Sequence, residues 1–62
     1  MKYSEIHREL RKAGCFIVKN GKKHPIWKSP LTGQLFETSY HDSEEAKYGT
    51  QRNIEKRSGV KL

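Results

Sequence analysis

A chain of 62 residues with a formal net charge of +6 and only 32% hydrophobic residues makes one small domain around a thin core. Its one cysteine, Cys15, cannot close an internal disulfide, and no apolar run approaches the roughly 20 residues that cross a bilayer. A single thiol without an apolar leader leads us to expect a reducing cytoplasm, with Cys15 as a small buried hydrophobe and no membrane partner.

The stretch "SEIHRELRKAG" predicts a first helix. Ser4 caps it, Glu5 suits its positive end, Arg11 and Lys12 suit its negative end, and Gly14 stops it. Ile6, Leu10 and Ala13 share one stripe, so the helix covers a core and turns most of its basic side chains to water. "CFIVKN" then reads as a strand and "NGKK" as a turn. In the second strand, "HPIWK", His24, Ile26 and Lys28 point one way and Pro25 and Trp27 the other. Pro25 has no N–H to give a ladder, so pairing starts at or after it, or a bulge sits there; His24 then stands at the mouth of the strand.

"SPLTG" makes the next turn, and "QLFET" a third strand in which Leu35 and Phe36 supply bulk. "SYHDSEEAKYG" is a polar loop with room for one helical turn capped by Asp42 or Ser43. "TQRNIEKRSGV" repeats the grammar of the first helix: Thr50 as cap, Ile54 inward, Lys56 and Arg57 in the last turn, and Gly59 as stop. Val60 and Leu62 pack back after that glycine. The order is α-β-β-β-α. Three short antiparallel strands cannot cover both their faces, so the expected architecture is a single α+β domain with two helices on one face of the sheet.

Locating the charge sharpens its meaning. Between His7 and Lys28 lie Arg8, Arg11, Lys12, Lys19, Lys22, Lys23 and Lys28 against Glu9 alone, and the rest of the chain sums to zero. A one-sided basic region is the footprint of a polyanion partner, nucleic acid being the commonest in a cytoplasm. A solvated face that only confers solubility has the same composition, and charge by itself leaves both readings open.

Chemistry narrows the field further. His7, His24 and His41 have no partners at metal-ligand spacing, so neither a metal nor a cofactor is expected. His41 and Asp42 with Ser39 or Ser43 lack a nucleophile elbow, and no glycine-rich phosphate cradle is present. Glu44 and Glu45 read as solvated charge. What remains is His24 beside Lys22, Lys23 and Lys28. Cleavage of RNA requires a group to take the 2′-OH proton or protonate the 5′-oxygen, and positive charge for the transition state. The residues alone leave His24 either as that group or as an ordinary hairpin residue. Trp27 reads as core in preference to a base-stacking ring, His41 as a loop residue in preference to a second acid/base group, and Tyr40 and Tyr48 as partly buried supports.

A set of short motifs spans nearly the whole chain: Ser4, Glu5, Leu10 and Gly14; then Gly21, His24, Trp27 and Pro30; then His41, Gly49, Thr50, Gly59 and Val60. In these the chain resembles the HicA family of small bacterial toxins, the messenger-RNA-cleaving half of a type II toxin–antitoxin pair. The resemblance implies a fold like a double-stranded-RNA-binding domain, a ribonuclease with one histidine at His24, messenger RNA as substrate, and an acidic or partly acidic HicB-like antitoxin that occludes the site. The chain departs from that pattern where Lys22 and Lys23 separate Gly21 from His24, where Pro25 follows the histidine, where Ser39 replaces a proline, and where Tyr48 interrupts "K-G-T". With the resemblance added, the expected activity is a metal-independent endoribonuclease. His24 is its acid/base group, and Lys22, Lys23 and Lys28, together with Lys19, Arg11 and Lys12, contact phosphates. A non-catalytic RNA-binding module and a protein with only an acidic protein partner are the rival readings.

Overall fold

The computed structural model describes residues 1–62 and places α1 at Tyr3–Lys12, β1 at Phe16–Asn20, β2 at Pro25–Lys28, β3 at Leu35–Glu37 and α2 at Tyr48–Ser58. The strands form one antiparallel sheet in the order β1-β2-β3, so the α+β architecture read from the sequence is the one observed. No helix is long and apolar enough to cross a membrane.

Pleating assigns the faces. Ile17, Trp27 and Phe36 are cross-strand partners in one row, and Phe16, Lys28 and Leu35 form the adjacent row on the opposite face. Toward the first face α1 brings Tyr3, Ile6 and Leu10, and α2 brings Ile54; these join Trp27, Phe36, Cys15, Ala46 and Val60 in one cluster. The other face has no cover, and Phe16 and Leu35 there are 49% and 54% exposed. Leu35 therefore supplies bulk to the bare face, not to the core, because a strand with one covered face can bury only alternate residues.

Trp27 lies at the centre of the core, 1% exposed, with the His7 ring stacked at 5.3 Å and the Phe36 ring at 6.4 Å. It is core, as the sequence suggested. Pro25 opens β2 opposite Asn20, at the first position of the strand, where a residue without an N–H is tolerated. The sheet irregularity falls across from it in β1, where Val18 is the extra residue between the Ile17–Trp27 and Lys19–Ile26 pairs.

Both helix starts differ from the expected caps. Ser4 and Thr50 lie inside α1 and α2, whose N-caps are Lys2 and Lys47. At α1 the exposed donors are met from far along the chain: Tyr3 N–H donates to the Glu44 carbonyl at 3.0 Å and Ser4 N–H to the Asp42 carbonyl at 2.9 Å. The Glu5 carboxylate accepts from Lys2 N–H at 2.9 Å. This docking also explains why the 41–44 segment forms a single hydrogen-bonded turn, Glu44 N–H to the His41 carbonyl at 3.0 Å, and no helical turn. Its carbonyls are engaged by α1.

The end of α2 is as expected. Gly59 adopts φ 74° and its N–H donates to the Glu55 carbonyl at 2.9 Å, after which Val60 turns into the core. A Cβ at Gly59 would lie 3.0 Å from the Thr32 methyl, in a backbone conformation that L side chains avoid. Gly49 stands in open space near the start of the same helix. Gly59→Ala should therefore lower stability by about 1–2 kcal/mol, whereas Gly49→Ala should raise it by about 0.4–1 kcal/mol. Urea unfolding of the two variants checks the opposite signs.

Candidate functional site

The β1–β2 turn is held tightly at both ends. A Cβ on Gly21 would fall 2.6 Å from the His24 carbonyl oxygen, so the turn closes only because residue 21 has no side chain. Tyr40 clamps the same glycine from outside, its hydroxyl donating to the Gly21 carbonyl at 2.7 Å. At the far end, His24 Nδ1 lies 3.2 Å from the Thr38 carbonyl. A carbonyl only accepts, so Nδ1 carries the hydrogen. In the neutral ring Nε2 then holds a lone pair, and the side chain is exposed.

Thr38 connects this exposed histidine to a buried polar chain. Trp27 Nε1–H donates to Thr38 Oγ1 at 2.9 Å, Thr38 Oγ1 lies 2.8 Å from His7 Nε2, and His7 Nδ1 lies 3.0 Å from Asp42 Oδ1. An indole can only donate and a carboxylate can only accept, so the whole chain runs in one direction. Trp27 gives to Thr38, Thr38 gives to His7, and His7 gives to Asp42. No buried side-chain nitrogen or oxygen is left unpaired. Burial holds the His7 pKa below the usual 6.5, with Arg11 acting in the same direction and Asp42 pulling against both. Asp42, His7 and Thr38 thus have the order of a nucleophilic triad, but Thr38 is 4% exposed and its hydroxyl oxygen is occupied by the Trp27 N–H. They form a brace. The pairing of Asp42 with His7, 35 residues earlier, was beyond local sequence reading, which had set Asp42 beside His41.

A groove of about 740 Å³ opens between the hairpin, β3 and α2. Lys23, His24, His41, Thr50, Asn53 and Arg57 line it. Thr50, Asn53 and Arg57 come from one stripe of α2 at helical spacing. His41 is placed by its backbone: its N–H donates to Ser39 Oγ at 3.0 Å and its carbonyl accepts from Glu44. Glu37 and Glu44 also face the groove, which therefore has cations beside carboxylates instead of a uniform positive field.

Of the basic residues expected at phosphates, Lys23 is the one in this groove. Lys22 is exposed in the hairpin turn. Lys28, in the row of Phe16 and Leu35, and Lys19, in the row of Ile26 and Glu37, belong to the bare face of the sheet. The Arg11 guanidinium lies 5.3 Å from the centre of the Trp27 ring, and Lys12 pairs with Glu9 at 3.6 Å on α1. Sequence reasoning did not assign Thr50, Asn53, His41 or Arg57 to a site. Its available signal was the polar 50/53/57 stripe beside Ile54, the only strongly apolar residue of that helix. Tyr48, read as a partly buried support, is 73% exposed and close to Arg52.

No three or more His, Cys, Asp or Glu side chains converge as metal ligands. The groove can instead offer a proton acceptor at His24 Nε2 and cationic contacts from Lys23 and Arg57. Compared with protein-family models, curated proteins and solved structures, the chain finds no match.

Replacing the Thr38 hydroxyl by a methyl group leaves the Trp27 N–H and His7 Nε2 buried without partners, each at a cost of about 1–3 kcal/mol. Thr38→Val should therefore be destabilised by about 2–6 kcal/mol, and Thr38→Ser by clearly less, as read from urea midpoints. The brace also makes stability depend on pH. Because the folded state lowers the His7 pKa below its unfolded value of 6.5, the unfolded chain binds the proton first as pH falls. His7's contribution is complete above about 6.5 and is lost as the pH drops through the lowered folded value. The urea midpoint of the parent should fall between pH 7 and pH 5, and that of His7→Gln should start lower and change less.

Proposed function

We propose that this chain is a metal-independent endoribonuclease that cleaves messenger RNA, the toxin of a toxin–antitoxin pair. The observation that carries this reading is the His24 ring: exposed, held through Nδ1 by the Thr38 carbonyl, and sharing a groove with Lys23 and Arg57. Such a ring can accept the 2′-OH proton while the two cations face the phosphate on which charge develops. The resemblance of the short motifs to the HicA family supports the same assignment, and with it a HicB-like antitoxin, acidic or partly acidic, as the partner that covers the groove.

One feature favours a second reading, a non-catalytic RNA-binding module. Phe16, Lys19 and Lys28 share the bare face of the sheet, where an exposed aromatic ring beside lysines can stack on a base and contact phosphates. Binding at that face and cleavage in the groove are separable by one variant. His24→Ala should fold and bind RNA as the parent does while losing about 10²- to 10⁴-fold in cleavage rate, and its induced expression should no longer arrest growth. A His24→Ala protein as toxic and as active as the parent would refute the catalytic reading.

A further inference from the structure

The groove brings a second histidine to the first. His24 is docked on the Thr38 carbonyl and His41 is three residues further along the chain, so even a fully extended path keeps their anchoring points within about 10 Å. The path is shorter than that, because the His41 N–H folds back onto Ser39 Oγ. With its N–H on Ser39 and its carbonyl on Glu44, the His41 backbone is pinned from both sides, while its ring has no hydrogen-bond partner in the protein. The adjacent Asp42 carboxylate is committed to His7 and does not hold it. Two imidazoles therefore line one groove, one with a hydrogen-bonded Nδ1 and the other free at both nitrogens.

Resting on the ribonuclease reading above, we propose that His41 is a second catalytic residue, the general acid that protonates the leaving 5′-oxygen while His24 acts as general base. The step balances. The 2′-oxygen attacks phosphorus and forms the O–P bond, its proton passing to His24 Nε2. The P–O5′ bond breaks, and its electron pair takes a proton from His41. The products are a 2′,3′-cyclic phosphate and a 5′-hydroxyl, and the two rings return to their starting states by exchange with water. Lys23 from the hairpin and Arg57 from α2 face the phosphate. Glu44 from the loop, Glu37 from β3 and Tyr3 from α1 complete the charged and titratable surroundings. Burial and, secondarily, Glu44 raise the Tyr3 pKa above 10, which keeps that phenol neutral.

Two substrates separate the roles: an RNA oligonucleotide, whose 5′-alkoxide requires protonation, and a uridine 3′-(p-nitrophenyl phosphate), whose leaving group does not. His41→Ala should lose about 10²-fold or more on RNA yet stay within about tenfold of the parent on the activated ester, and its kcat/KM profile on RNA should lose the falling limb at high pH. His24→Ala should be impaired on both. Full activity of His41→Ala on RNA, or equal loss on both substrates with an unchanged pH profile, would overturn the role of His41 and leave that of His24 standing. A parent protein that cleaves neither substrate would overturn the ribonuclease reading itself.

Discussion

The hydroxyl of Thr38 is buried between an indole N–H and an imidazole nitrogen, while the carbonyl of the same residue takes the Nδ1–H of an exposed histidine. Three elements meet there. Trp27 comes from β2, His7 from α1, and His24 from the hairpin turn that leads into β2. The Thr38 N–H closes the arrangement by donating to the Pro25 carbonyl at 3.2 Å. In a domain this small, whose hydrophobic cluster comprises nine residues, one directional polar chain does much to select a single packing of helix on sheet. It also makes the orientation of an exposed side chain depend on the order of the core.

This constraint accounts for the contrast between the two sides of the molecule. The face that carries Trp27 and Phe36 is covered by helices and tied by hydrogen bonds, and the groove runs along β3 and α2 at the edge of the sheet, where Ile26, Leu35 and Glu37 of the opposite face also line it. The opposite face, with Phe16, Lys19, Lys28 and Leu35, has no partner within the chain. The basic charge of the first half is accordingly divided. Lys23 faces the groove, Lys19 and Lys28 the bare sheet, and Arg11 stacks over Trp27. The sequence shows that these residues are basic, but it does not show that they occupy different surfaces.

What was legible in the sequence was local. The glycine stop at Gly59, the alternation of Pro25 and Trp27 against Ile26 and Lys28, and the place of His24 before the strand follow from the steric and periodic rules of a few neighbouring residues. The helix caps were not legible, because the donors of α1 are met by carbonyls some 40 residues away, a choice made by tertiary docking. The His7–Asp42 pair and the Thr38 hydroxyl between His7 and Trp27 were hidden for the same reason. Arg57 was read only as a cation suited to the end of a helix. Its position in the groove depends on the packing of α2 against β3.

The Thr38 carbonyl fixes the proton of His24 on Nδ1 and leaves Nε2 free to accept one. Nitrogen-15 NMR of the imidazole side chains, recorded at a pH where the rings are neutral, reads this directly. His24 and His7 should both report a protonated Nδ1 and an unprotonated Nε2. A neutral His24 protonated on Nε2, or averaging between the two tautomers, would contradict this.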